Sequence, residues 1–183
     1  MSEKEPKIRF KITVIGDGQV GKTSLIQKFT KGSFRQDYVK TIGAQFSIYD
    51  EEINGEMIRL LFWDIAGQDD FNFLRPYFYR DSLGAIIVFS LEENQMGEDS
   101  FNHISNWYED VVQFCGNIPM VLFANKVDLL DVNNIDHSKI QKIADKHTFL
   151  GYYLTSAKSG YGVMEAFNII IEKLYQKTES SVL

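Results

Sequence analysis

The residues Gly16-Asp17-Gly18-Gln19-Val20-Gly21-Lys22-Thr23 have the spacing GxxxxGK[ST] and directly follow a β-rich run from Ile8 to Ile15. Glycines at these places let backbone N–H groups turn toward phosphate oxygens, Lys22 adds a cation, and Thr23 offers a hydroxyl to Mg²⁺ as the next helix opens. Ser24 carries the segment into that helix. The apolar strand before it and the helical pattern after it (Leu25, Ile26, Phe29) set it apart from an ordinary Gly-rich turn. The implied chemistry is binding of a nucleoside triphosphate, with neither the base nor the purpose specified.

Further segments fall where later strands should end. Trp63-Asp64-Ile65-Ala66-Gly67-Gln68 offers a carboxylate, Asp64, that can hold Mg²⁺ through water, and a backbone N–H at Gly67 for a terminal phosphate. In Asn125-Lys126-Val127-Asp128, Asp128 can accept two hydrogen bonds from the N1–H and exocyclic amine of guanine. Adenine lacks that donor pair and would leave the carboxylate unpaired and desolvated. Asn125 and Lys126 read as braces holding this loop against the phosphate loop. In Thr155-Ser156-Ala157-Lys158, the Ala157 N–H can bond the guanine carbonyl while the Lys158 stem covers the ring. The 32–43 stretch has no apolar periodicity and contains Phe34, Tyr38 and Thr41. Composition alone leaves it open as a plain surface loop.

The elements that must position these residues follow from periodicity. Strands are expected at 8–15, 44–53, 56–64, 84–90, 119–125 and 151–155, and helices at 22–31, 71–80, 100–115, 136–147 and 161–177. Asn54-Gly55 is a type I′ hairpin signal, making the second and third strands antiparallel neighbours. The other strands are continuous apolar runs, as parallel strands covered on both faces should be. In the last helix Val163, Phe167, Ile170, Ile171 and Leu174 form one apolar face. The expected fold is α/β, a doubly wound, six-stranded, mostly parallel sheet with one antiparallel strand and helices on both faces. Its ligand should sit at the C-terminal strand ends. Residues 1–7 and 178–183 are expected to be flexible ends around a single domain at 8–177.

Bulk properties narrow the function classes. The chain has 183 residues, 44% hydrophobic and 24% charged, enough for one domain with a sizeable core. A net charge of -6 opposes non-specific attraction to nucleic acid or anionic lipid, so phosphate binding must be local. The single cysteine, Cys115, excludes an internal disulfide, fits a reducing, cytoplasmic setting, and reads as a buried helix residue. The charged N-terminus carries no secretory signal, and Leu83 to Phe89 is too short to span a bilayer.

Taken in order and spacing, these segments resemble the Ras superfamily of small GTPases, P-loop NTPases, over essentially the whole chain. Thr41-Ile42-Gly43-Ala44-Gln45-Phe46, Trp63 to Gln68, Tyr77-Phe78-Tyr79-Arg80 and Ser100-Phe101-Asn102-His103 are each similar to segments of its Rab branch. The resemblance implies GTP and GDP as ligands with Mg²⁺, switch I around 34–43 and switch II around 64–80. Thr41 would bind Mg²⁺ by its hydroxyl and the γ-phosphate by its N–H. Phe34 would pack against guanine and Tyr38 would close over the phosphates. Gln68 would orient the attacking water while Lys22 and loop amides hold developing charge. Phe46, Trp63 and Phe78 match the aromatic trio on which Rab effectors dock; as strand and helix aromatics they equally suit a core. Exchange factors and GTPase-activating proteins are the other implied partners, and the chain is expected to be monomeric.

Departures from the family pattern qualify this reading. The chain ends Glu179-Ser180-Ser181-Val182-Leu183 without cysteine or a polybasic run, and residue 2 is Ser. No lipid anchor is therefore expected, unless the sequence is part of a longer one. Gln19 stands where the family usually has glycine, where it can crowd the nucleotide or its exchange factor. Asp69-Asp70 replaces a Glu-led pair, and Ser90 a common Asp. Tyr38 occupies the position at which Gα members carry a charge-stabilising arginine. Intrinsic turnover is thus expected to be slow, on the order of 10⁻³ per second or less, a range carried over from the superfamily. Gly18 leaves room for Gln68. Rival readings are a non-hydrolysing, nucleotide-dependent binding module and an adenosine-nucleotide enzyme such as a kinase.

Overall fold

A computed structural model describes residues 6–32, 43–66 and 75–180. The first strand, β1 (Ile8–Ile15), leads into α1 (Lys22–Lys31). The hairpin β2 (Ala44–Ile53) and β3 (Glu56–Ile65) follows, then α2 (Arg75–Tyr79) and β4 (Gly84–Ser90). The helices α3 (Gln95–Asn102) and α4 (Ile104–Cys115) precede β5 (Met120–Asn125). The chain closes with α5 (His137–Lys146), β6 (Tyr152–Thr155) and α6 (Val163–Ser180).

The six strands form one sheet in the order β2-β3-β1-β4-β5-β6. Only the β2–β3 pair is antiparallel. Its turn has Asn54 at φ 51° and Gly55 at φ 81°, the two positive values that a type I′ turn requires. Every residue of β4 and β5 is buried, which explains their unbroken apolar sequences. One face of the sheet packs Phe10, Ile12 and Phe62 against Leu25 and Phe29 of α1 and Phe167 and Ile170 of α6. The other packs Ile87, Phe89 and Leu122 against Ile104, Trp107 and Val111 of α4 and Ile140 of α5. The strand order reverses about β1, so the β1–α1 loop opens at the sheet's crevice.

The structure departs from the expected elements in places. The helix expected over 100–115 begins at Gln95 and is broken at His103 (φ -82°, ψ -3°) into α3 and α4. Its start was hidden because Glu92 to Gln95 is polar and Gly97 follows within the first turn. The side chain of Asn94 caps it by accepting the Gly97 N–H at 2.9 Å. The last helix starts at Val163 rather than 161 and runs to Ser180, three residues past its expected end. There the hydroxyls of Thr178 and Ser180 bond back to the carbonyls of Leu174 and Gln176. The Asn54-Gly55 hairpin leads into a β3 one residue longer than expected, and only 75–79 of the expected 71–80 helix lie among the described residues. Cys115 is half-buried, not buried; it closes α4, its Sγ bonds the Tyr79 carbonyl at 3.3 Å, and burial pushes its thiol pKa up. No helix among the described residues is long and apolar enough to cross a membrane.

Candidate functional site

The loop after β1 is shaped by two close backbone approaches. Gly16 has φ 136°, and a Cβ there would collide with the Val88 carbonyl of β4. Gly21, at φ 100° before α1, would drive a Cβ into the Asn125 amide. Glycine is the residue that tolerates both the positive φ and the missing space. At Gly18 an added Cβ would meet nothing within 4 Å among the described residues. Gln19 also has positive φ, 64°, yet its side chain is exposed. A non-glycine residue there costs about 1 kcal/mol of backbone strain and does not crowd the described part of the loop.

Lys22, on the first turn of α1, is 6% exposed. Its Nζ donates to the carbonyls of Gly16 at 2.8 Å and Asp17 at 2.7 Å, curling back over the loop. Burial lowers its pKa to about 8, against the raising effect of Asp64 and Asp17; the Arg75 cation lowers it further. Thr23 donates its hydroxyl to Asp64 Oδ2. The β1–β3 register sets Asp64 opposite Val14 and so beside the loop. Ser24 follows on the same turn, half-buried.

Asn125 ends β5 and is 1% exposed. Its Nδ2 donates to the Val20 carbonyl at 2.8 Å, while its Oδ1 accepts the Thr155 hydroxyl and the Ala157 N–H, each at 3.3 Å. One side chain thus braces the phosphate loop and the loop after β6. Lys126 behaves differently from expectation. Its backbone sits at φ 71°, and its Nζ pairs with Glu92 Oε2 in the loop after β4, not with the phosphate loop. Asp128 Oδ1 accepts the Ser156 hydroxyl at 2.6 Å, and Oδ2 lies 4.0 Å from Lys158 Nζ. Ser156 is fully buried and also accepts the Ser159 N–H at 3.0 Å, so it fixes the carboxylate's orientation.

Asp17, Gly18, Gln19, Val20, Lys22, Thr23, Asp64, Asn125, Asp128, Ser156, Ala157 and Lys158 therefore gather at one end of the sheet. Phe34, Tyr38, Thr41, Gly67 and Gln68 lie outside the described residues. Spacing did not point to Glu92, to Thr155 as a partner of Asn125, or to His103 and Trp107. The last two bond the Asp17 carboxylate across 86 and 90 residues, and no local signal marks them.

The aromatic trio does not form an ordinary core. Phe46 is 63% exposed on the edge strand, with Trp63 and Phe78 half-buried beside it. The Trp63 ring centroid lies 6.1 Å from that of Phe46 and 6.0 Å from that of Phe78, with Lys11 Nζ over the indole. Phe78 also packs on the core beneath α4.

Comparison with known proteins agrees with this arrangement. The family described as Ras: Ras family matches residues 11–176. GTP-binding protein RHO1 of Saccharomyces cerevisiae is 38% identical over 173 residues, covering 87% of this chain and 80% of the relative. Ras-related protein Rab-13 of Rattus norvegicus is 34% identical over 170 residues, covering 92% and 81%. Ras-related protein Rab-10 of Diplobatis ommata is 32% identical over 179 residues, covering 97% and 87%. These relatives divide between Rho and Rab branches, so the branch is not set by similarity. With the loop after β1, the buried Asn125 brace and a match across nearly the whole chain, this protein belongs to the Ras family.

Proposed function

We propose that the chain binds GTP and GDP with Mg²⁺ at the C-terminal ends of its strands, hydrolyses GTP slowly, and acts as a molecular switch. The supporting observation is Asn125, whose buried amide joins the phosphate loop at Val20 to the loop of Thr155 and Ala157. Phosphate and base recognition would then share one brace. In this reading Asp128, oriented by Ser156, accepts the two guanine donors, Ala157 offers its N–H, and Lys158 covers the ring. Phe34 packs on the base and Tyr38 closes over the phosphates.

The residues present suit Mg²⁺. The hydroxyl of Thr23 and the carboxylate of Asp64 meet at the loop, a hard oxygen pair that suits this cation when nucleotide oxygens complete its shell. Thr23 and Thr41 would hold it directly and Asp64 through water; bound there, it would neutralise phosphate charge. Gln68 orients the attacking water, Gly67 contributes an N–H, and Lys22 with the loop amides from Gly16 to Gly21 holds the phosphate oxygens. The switch loops are ordered by the γ-phosphate and relax after hydrolysis.

The finer reading is a Rab-like switch in membrane traffic, working through effectors, an exchange factor and a GTPase-activating protein. The strip in which exposed Phe46 lies beside half-buried Trp63 and Phe78 supports it. The test is the nucleotide retained by purified protein, read by mass spectrometry with and without EDTA, followed by single-turnover GTP hydrolysis. Guanine nucleotide released on chelation, with slow turnover, is expected. Retained adenine nucleotide overturns the guanine reading; retained GTP that is never cleaved, even with candidate activators, replaces the enzyme by a binding module.

A further inference from the structure

The Asp17 carboxylate takes one bond on each oxygen, from α4 and from the residue before it. Its Oδ1 accepts the Trp107 indole N–H at 2.7 Å, and its Oδ2 accepts from His103 Nδ1, also at 2.7 Å. Trp107 is 6% exposed, and its ring carries the Arg75 guanidinium 4.2 Å from the centroid. Arg75 is the first residue of α2, and its Nη1 also donates to Asp110 Oδ2 at 3.0 Å, three residues beyond Trp107 on α4. The Asp17 carbonyl in turn holds Lys22 Nζ. An unbroken series of contacts thus runs from α2 through Trp107 and Asp17 to the lysine of the phosphate loop.

We propose that Trp107 is a positioning residue for the phosphate loop, transmitting the seating of α2 through its stacked Arg75 to Asp17, so that displacing α2 speeds nucleotide release. The guanidinium fixes the plane of the indole, and that plane aims the N–H at Asp17. Without the guanidinium the ring gains freedom and the hydrogen bond loses its alignment, which weakens such bonds steeply. Asp17 then keeps only its His103 bond and anchors less firmly the carbonyl that holds Lys22. The seat of α2 is itself imperfect. Arg75 Nε and the Tyr79 hydroxyl, both buried, have no hydrogen-bond partner among the described residues. Buried donors left unsatisfied penalise the packed state and offset part of what the buried Tyr79 ring, stacked on Phe114, contributes to seating α2.

The inference rests on the nucleotide-binding reading above, and its test separates the two. Release of mant-GDP is followed for the wild type, Trp107→Phe, Arg75→Ala and the double variant, alongside the ¹⁵N–¹H indole resonance of Trp107 in nucleotide-free protein. Trp107→Phe keeps the ring and removes the donor. Each single variant should speed release about tenfold, the size of a lost hydrogen bond to a charged acceptor. The double variant should release no faster than the quicker single one, because both act on one path. Arg75→Ala should also shift the Trp107 indole resonance. Multiplying effects, or an unmoved indole resonance in Arg75→Ala, would overturn the proposal. If Trp107→Phe does not fold, Trp63→Phe assigns the indole signals and the Arg75→Ala shift decides. If the wild type binds no mant-GDP, the nucleotide reading fails, and the indole resonance still tests the coupling.

Discussion

Asn125 donates its side-chain amide to the Val20 carbonyl at 2.8 Å, across 105 residues of sequence. The donor is buried, so its removal leaves the Val20, Thr155 and Ala157 groups without that partner while creating a small void. Asn125→Ala should weaken mant-GDP binding by about 1–3 kcal/mol, a five- to 150-fold change in Kd. Fluorescence titration measures this directly. An unchanged Kd would show that the brace does not support the site.

Asp128 is held by Ser156 with its carboxylate about one-fifth exposed. Asp128→Asn presents an amide where guanine needs two acceptors, whereas xanthine offers a carbonyl in place of the amine. Preference should pass from guanosine to xanthosine nucleotides, tested by competition between GDP and XDP. Ser156→Ala frees the carboxylate and should weaken GDP binding by about 1 kcal/mol without changing base preference.

Gln68 enters the proposed mechanism only at the attacking water. Gln68→Leu should therefore depress single-turnover GTP hydrolysis at least tenfold and leave GDP affinity within about twofold. Turnover equal to wild type would remove Gln68 from the mechanism.

Lys22 gives two pH signatures of opposite sign. Its folded-state pKa is lowered from 10.5 to about 8. Below about pH 8 the lysine is already charged and nucleotide affinity should be flat; above it, phosphate binding must draw in a proton, and affinity should fall by up to about tenfold per pH unit. Stability of the nucleotide-free protein should do the reverse. The folded state binds fewer protons than the unfolded chain between pH 8 and 10.5, so this group's penalty is full below that window, eases through it, and is gone above it. Lys22→Met should remove both slopes, as read by mant-GDP titration and urea unfolding across pH 7 to 10.5.

Much of the site was legible because its signals are local. GxxxxGK[ST] sets a backbone path within eight residues, and apolar runs such as Gly84–Ser90 and Met120–Asn125 mark strands buried on both faces. The helix break at His103 was not legible, since it falls inside the 100–115 segment and only the backbone geometry at that residue changes. The Lys126 contact was not legible because β5 ends at Asn125 and Lys126 turns into the left-handed region at φ 71°, which aims its side chain away from that of Asn125. One reaches Val20 and the other Glu92.

The sequence by itself determined which residues stand at the strand ends, the order of those strands along the chain, and the antiparallel hairpin at Asn54-Gly55. These depend on period, glycine spacing and turn chemistry, all of which act over a few residues. Only the tertiary structure decided that Phe46 faces outward, that Ser156 orients Asp128, and that Asp17 is held by His103 and Trp107. Those contacts join residues 28 to 90 apart. They exist because the β2-β3-β1-β4-β5-β6 order sets particular strand ends side by side and the packing of α4 turns Trp107 toward the phosphate loop. No local pattern encodes that adjacency.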